Sequence, residues 1–267
     1  MRGSRRRLDA ELVRRGLVTS RDRARQAVAS GQVTVNGAVA QKAARLVLPG
    51  DALELAGPPA RYVSRGGEKL EGALEAFGLD VAGWRCCDVG ASTGGFTDCL
   101  LQCGAAEVVA VDVGRAQMHE RLAGDSRVTL YERTDIRDVD SASIGAPFDL
   151  VTADVSFISL TSVMERLAEL AAPSAPVVVL VKPQFEVGRK QASRGRGVIR
   201  DPEQWQAALE RVLDAAITVG LAPQTAIPSA LKGAQGNVEF FLHLEKGGPP
   251  APVDSSQVVA QVVTEAG

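Results

Sequence analysis

The chain has 267 residues, with 45% hydrophobic and 23% charged residues and a formal net charge of −2. Those values are ordinary for a globular protein and exclude a mostly disordered chain. No run reaches the ~18 apolar residues of a membrane span, and four cysteines in a chain this long do not make a disulfide scaffold.

Leu8 to Arg15 reads as a short amphipathic helix stopped by Gly16, and Ser20 is placed to cap a second helix over Arg21 to Ala29. Val33, Val35 and Val39 around Asn36-Gly37 predict a strand and a tight turn, and Val47-Leu48, Pro49-Gly50-Asp51 and Ala52 to Leu55 predict another. Gly57-Pro58-Pro59 breaks the pattern and reads as a linker. Residues 1–65 hold 13 of the 30 Lys+Arg but 5 of the 32 Asp+Glu, which is +8 against −10 for the rest. Clustered arginine displaces counterions from phosphates, so a polyanion partner competes with the plainer reading of a solvated basic helix.

This stretch resembles the S4 domain, an RNA-binding module. The matching residues are Leu8-Asp9, Leu12-Val13, Gly16-Leu17, Ser20-Arg21, Ala24, Ala27, Gly31-x-Val33-x-Val35-Asn36-Gly37, Lys42 and Gly50-Asp51. The resemblance implies binding to structured RNA. Arg5, Arg6, Arg7, Arg21, Arg23, Arg25 and Lys42 are the candidate phosphate contacts, joined by Arg65, Arg189 and Lys190 further along the chain. The last two lie in a Gly/Arg loop, 188–197, that reads as an RNA clamp or as a plain surface loop.

After the linker, apolar β-rich runs alternate with helical stretches. The expected order is helix Glu68–Phe77, strand Cys86–Val89, helix Phe96–Gln102, strands Glu107–Val113, Val128–Tyr131 and Phe148–Val155, helix Leu160–Ala171, strand Pro176–Val181, helix Pro202–Val219 and strand Asn237–Leu244. That rhythm predicts an α/β fold of the Rossmann-like kind: a mostly parallel sheet with helices on both faces, preceded by a small α+β domain. The expected divisions are 1–57 for the RNA-binding domain, 58–65 for the linker, 66–246 for the larger domain and 247–267 for a tail.

A glycine-rich loop, Asp88-Val89-Gly90-Ala91-Ser92-Thr93-Gly94-Gly95-Phe96-Thr97, follows the first strand of that domain and opens a helix. Glycine lets the backbone approach a ligand closely at the carboxyl edge of a sheet. The next strand ends at Asp112, where a carboxylate can take the hydroxyls of a ribose. Loop and acid together point to a cofactor containing a nucleoside. The D-x-G-x-x-x-G-G-F-T pattern resembles the S-adenosylmethionine loop of Rossmann-like methyltransferases, and within them the FtsJ-like group. The resemblance implies cofactor contacts from Asp88 and residues Gly90, Ala91, Ser92, Thr93, Gly94, Gly95 and Phe96, with Asp112 on the ribose and Asp135 near the adenine. Asp154 and Phe157 are further candidates for the cofactor pocket, with a core phenylalanine as the plain alternative for Phe157.

Four charged residues stand out by position: Lys69 on the entering helix, Asp154 and Lys182 at the ends of apolar strands, and Glu239 in the last strand. A charge in such a place is costly unless paired, so a structural ion-pair network is the plain alternative to a catalytic role. Their order resembles the Lys-Asp-Lys-Glu tetrad of FtsJ-like ribose 2′-O-methyltransferases. A ribose hydroxyl ionises far above neutral pH and needs a base or a cation beside the developing alkoxide; Lys182 is the candidate.

Taken together, S4 domain, linker and FtsJ-like domain, with Tyr62-Val63-Ser64-Arg65-Gly66-Gly67 and Ala153-Asp154-Val155-Ser156-Phe157, resemble the TlyA family, whose members also carry the name haemolysin A. The resemblance implies 2′-O-methylation of cytidine in 16S and 23S ribosomal RNA, ribosomal RNA or subunits as partner, and S-adenosylmethionine as cofactor. Family members carry an R-x-W-V-like motif in the linker; here Ala60-Arg61-Tyr62-Val63 departs from it. No metal is expected, since the cysteines show no C-x-x-C spacing. The basic N-terminus lacks the apolar stretch of a secretory signal, so the cytoplasm is the expected compartment, with a monomer as the expected state. The competing classes are a nicotinamide-dependent dehydrogenase, a membrane-lytic protein and an RNA-binding protein without activity.

Overall fold

A computed structural model describes residues 5–29, 31–56, 61–187, 198–233 and 236–265. The expected linker at Gly57-Pro58-Pro59, together with Ala60, and the loop carrying Arg189 and Lys190 lie outside the described residues. The chain divides into two compact units, Met1–Ser64 and Arg65–Gly267.

The first unit holds β1 (Arg6–Arg7), α1 (Leu8–Arg14), α2 (Arg21–Ala29), β2 (Val33–Val35), β3 (Ala38–Val39), β4 (Leu46–Val47) and β5 (Leu53–Leu55). Ser20 caps α2 by accepting from the Arg23 N–H at 3.1 Å. Asn36 and Gly37 both have positive φ, at 53° and 80°, the turn geometry that matches strand twist and brings β3 back against β2. Leu8, Leu12, Ala24, Ala27, Val28, Val33, Val35 and Val47 form the core.

The second unit holds α3 (Arg65–Phe77), β6 (Arg85–Val89), α4 (Gly95–Gln102), β7 (Glu107–Val111), α5 (Glu120–Ala123), β8 (Val128–Tyr131), β9 (Leu150–Ala153), α6 (Met164–Leu170), β10 (Pro176–Val181), α7 (Pro183–Glu186), α8 (Pro202–Thr218), β11 (Leu221–Pro228), β12 (Phe240–Lys246) and α9 (Ser255–Glu265). Its seven-stranded sheet runs β11-β12-β10-β9-β6-β7-β8. The ladders of β10-β9-β6-β7-β8 are parallel, and β12 lies antiparallel between β10 and β11. The core is aliphatic, as an aromatic fraction of 4% requires, with Val177, Val179 and Val181 of β10 among its fully buried members.

Strand β11 has no counterpart in the sequence reading. It contains Pro223 and Pro228, which argue against a strand by rule; it occupies the sheet edge, where a missing N–H breaks no ladder, and carries a bulge between Pro223 and Thr225. The last strand starts at Phe240, so Glu239 precedes it rather than lying within it. The expected helix Leu160–Ala171 is split into a 3-10 turn, Leu160–Ser162, and α6. The segment beyond residue 246 contributes Val258 and Val259 to the main core through α9, because its Val-rich face has apolar surface to bury.

The strand order reverses between β6 and β9. In a doubly wound sheet ligands sit outside the carboxyl ends of the strands at that switch point. Gly90, Asp112, Asp154 and Lys182 all follow the carboxyl ends of parallel strands. Strand β12 runs the other way and presents its beginning, with Glu239, at the same edge.

Candidate active site

The register places the tetrad. Val181 pairs with Phe240 across β10 and β12, and the next positions are Lys182 and Glu239. Lys69, one turn into α3, reaches Glu239, with Nζ 2.5 Å from Oε2. This pair is buried, with side chains 9% and 3% exposed. Lys182 Nζ lies 2.5 Å from Asp154 Oδ1, in a pair that remains open to solvent through Asp154, 24% exposed. Lys182 also donates to Ser156 Oγ at 2.8 Å. Two cations and two carboxylates thus balance at one sheet edge, where an unpaired buried charge would cost several kcal/mol. Each lysine has its own acid, and Asp154 of the Lys182 pair lines a cavity.

That cavity, about 260 Å³, is lined by Gly90, Ser92, Asp112, Thr134, Asp135, Asp154, Ser156 and Phe157 among others. Gly90 has φ +85°, and a Cβ there would meet the Asp154 carbonyl oxygen at 2.6 Å. Asp112 is held by the glycine loop itself: its Oδ2 accepts from Ser92 N–H at 2.8 Å and its Oδ1 from Gly114 N–H at 2.6 Å. Each oxygen keeps a lone pair for a ligand hydroxyl. Asp135 caps the turn at Ile136–Asp138 and is paired with Arg137 at 2.5 Å, which holds its carboxyl below the usual range.

Several expected cofactor residues are not among those that line this cavity. Asp88 is fully buried, accepting from Thr97 Oγ1 at 2.7 Å and Thr152 Oγ1 at 3.3 Å, and is not among the cavity residues. Burial pushes its carboxyl up to about 7, with the Asp154 charge adding to the rise and the Thr97 bond opposing it. Its carboxyl is buried between Thr97 of α4 and Thr152 of β9. Ala91, Thr93, Gly94, Gly95 and Phe96 likewise do not line the cavity; Phe96 is buried and stacks on Phe241 with centroids 6.0 Å apart. Phe157 is no core residue: it is 89% exposed, has φ +69°, and packs against Phe185 at 5.4 Å. Ser156, Gln117 and Thr134 line the cavity and were not singled out in the sequence. The available signal for Ser156 was its place two residues after Asp154.

The arginines of the first unit are organised by two buried acids. Asp9 pairs with Arg7 at 2.9 Å and Arg21 at 3.2 Å, with Arg25 at 3.9 Å. Arg25 also pairs with the exposed Asp22 at 2.8 Å. Glu11 pairs with Arg14 at 2.6 Å and Arg15 at 2.9 Å, which lowers its carboxyl to about 2. The guanidinium groups of Arg7, Arg21 and Arg25 therefore form a fan whose outer faces remain exposed, and Arg5, Arg6 and Lys42 are exposed as well. Arg23 is half-buried on α2. Arg65 instead donates to the Lys232 carbonyl, which ties the start of α3 to the segment preceding Glu239. Among the described residues no cluster of three or more His, Cys, Asp or Glu could hold a metal ion.

Residues 62–246 match the FtsJ-like methyltransferase family and residues 6–53 match the S4 domain. The chain is 48% identical over 239 residues to the 16S/23S rRNA (cytidine-2′-O)-methyltransferase TlyA of Mycobacterium tuberculosis, covering 89% of each chain. It is 37% identical to the 23S rRNA (cytidine-2′-O)-methyltransferase TlyA of Campylobacter jejuni, covering 69% of this chain and 71% of that one. A structure solved for a candidate hemolysin of Streptococcus thermophilus superposes with a TM-score of 0.80 at 39% identity, covering 98% of this chain and 97% of that one. With an S4 domain ahead of a doubly wound sheet that gathers two lysines and two acids at its carboxyl edge, the chain belongs to the FtsJ-like methyltransferase family, in the TlyA group.

Proposed function

We propose that this chain methylates the ribose 2′-hydroxyl of cytidine in ribosomal RNA, 16S, 23S or both, using S-adenosylmethionine. The observation that carries the reading is the Lys182–Asp154 pair, whose Asp154 lines the same cavity as Asp112. The names of the Mycobacterium and Campylobacter relatives support the same substrate class.

The residues present suit the cofactor. Gly90 lets the loop pass against the Asp154 backbone where a Cβ would collide, Asp112 has acceptor capacity for two ribose hydroxyls, and Asp135 with Thr134 borders the same cavity. When bound, the cofactor supplies a methyl group already activated as a sulfonium. What remains for the protein is positioning and charge. In its neutral form Lys182 Nζ takes the proton of the ribose hydroxyl; in its charged form it stabilises the developing oxyanion. Asp154 and Ser156 orient Lys182, and Glu239 holds Lys69 as a second cation at the same edge. The exposed faces of the arginine fan supply phosphate contacts, which position RNA without reading its sequence. That substrate places the reaction in the cytoplasm on ribosomal subunits, with a monomer as the proposed state. No helix among the described residues is long and apolar enough to cross a membrane.

Ribosomal subunits incubated with the purified chain and methyl-labelled S-adenosylmethionine test the reading. Label is expected on cytidine ribose in the wild type. Lys182→Ala is expected to lose about 10²- to 10⁴-fold in rate, the range for a positioned acid–base group, while calorimetric titration still shows cofactor binding. Unlabelled RNA with the wild-type protein sinks the function; near-normal methylation by the variant sinks the role of Lys182.

A further inference from the structure

The wall that faces Lys182 is held in an unusual shape by a carboxylate that lies outside the tetrad. The segment from Val155 to Ile158 lines the cavity, and its Ser156 hydroxyl accepts from Lys182. Within it Phe157 has φ +69° with its ring 89% exposed. A bulky non-glycine residue in that region costs about 1–3 kcal/mol and persists only where its surroundings enforce it. Phe157 itself gains little burial to offset this, so the constraint comes from its flanks.

On the N-terminal flank the Asp154 N–H donates to Val89 O at 2.9 Å, which anchors the segment to the sheet. On the C-terminal flank stands Glu186, 3% exposed, at the end of α7. One of its oxygens accepts from Ser159 Oγ at 2.5 Å and the other from the Leu160 N–H at 2.8 Å. Both oxygens are thus spent on the segment that follows Phe157. The Glu186 carbonyl in turn accepts from Arg211 of α8 at 2.7 Å, which fixes the residue from behind. Because α7 starts directly after Lys182, the same short helix carries the lysine at one end and the clamp at the other.

Resting on the function proposed above, we propose that Glu186 is a positioning residue of the methyl-transfer site: its carboxylate clamps residues 155–160 so that Ser156 stays against Lys182 and Phe157 against Phe185. It touches neither Lys182 nor the cavity, so it acts through the segment it holds. A buried carboxylate with two bonds to one loop is also an expensive way to build a surface turn, since an apolar contact would avoid its desolvation.

The test uses the full chain with ribosomal subunits and labelled S-adenosylmethionine, alongside amide hydrogen exchange. Glu186→Ala is expected to lower kcat at least tenfold with KM for the subunit within about threefold, and to speed exchange at residues 155–160; a loop displaced by about 1 Å can cost 10²-fold. Glu186→Gln is expected to recover kcat to within about threefold of wild type, because its amide oxygen still accepts from Leu160 and its amide nitrogen donates to Ser159. Ser159→Ala, a half-buried change that keeps the Leu160 bond, carries the test if Glu186→Ala does not fold; a smaller loss of kcat with faster local exchange is expected. Wild-type kcat in a folded Glu186→Ala or Ser159→Ala, or a loss of kcat without faster exchange at 155–160, overturns the clamp. An inactive wild type overturns the function instead, and faster exchange at 155–160 in the variants still upholds the clamp in that case.

Discussion

Replacing Asp88 with asparagine separates stability from catalysis at the base of the glycine loop. Asp88 is fully buried, and its carboxyl is pushed from an ordinary 3.8 to about 7. The folded protein therefore binds a proton at pH 5 that the unfolded chain has already released. A group raised in this way contributes stability below its unfolded value, and that contribution is lost as pH rises toward the folded value. About two pH units of proton uptake at 1.36 kcal/mol each give a loss of about 3 kcal/mol between pH 5 and 8. Asparagine fills the same space, accepts from Thr97 and donates to Thr152, whose hydroxyl also faces the Cys87 carbonyl. Both tryptophans, Trp84 and Trp205, lie in the second unit, so their emission during urea denaturation follows that unit. The wild type is expected to lose stability from pH 5 to 8 relative to Asp88→Asn by about 3 kcal/mol. Parallel stability profiles for the two proteins refute a protonated Asp88.

Gly90→Ala is expected to weaken cofactor binding at least tenfold by titration, because the new Cβ meets the backbone oxygen of Asp154 at 2.6 Å and φ +85° is strained for alanine. The first unit carries pH dependence of the opposite sign. Arg14 and Arg15 lower Glu11 to about 2, so its stabilisation is present above pH ~4.5 and disappears as pH falls toward 2; the protection of α1 amides against hydrogen exchange, relative to their intrinsic rates, should fall with acid in the wild type and less steeply in Glu11→Gln. Arg21→Ala should weaken RNA binding and reduce the slope of log affinity against log salt by about one, as the loss of one phosphate contact does; an unchanged slope removes Arg21 from the interface.

A net charge of −2 conceals a basic module and an acidic one, and the split was legible from residue order alone. So were most strands and helices of the second unit, because their periodicity matches their burial: Pro176–Val181 reads as a buried strand and is one at every position. The D-x-G loop, Asp112, Asp154 and Lys182 were also visible, since each stands where an apolar run stops; Lys69 on the entering helix and Glu239 beside the last strand stood out as charges on apolar elements. Strand β11 was hidden because its prolines obey a rule for central strands that an edge strand does not share.

The pairing within the tetrad, in contrast, belongs to the tertiary structure. Residues 69 and 239 are far apart in the chain and meet only because β12 runs antiparallel and presents its start where the parallel strands present their ends. The side on which Asp88 faces was equally invisible, since one position along a strand exchanges cavity for core. Glu186 and Ser159 are ordinary polar residues in sequence, and only packing brings both carboxylate oxygens onto one strained segment. Local pattern determined which residues could carry charge to the sheet edge; the register and direction of strands decided which charges neutralise each other and which one faces the cavity.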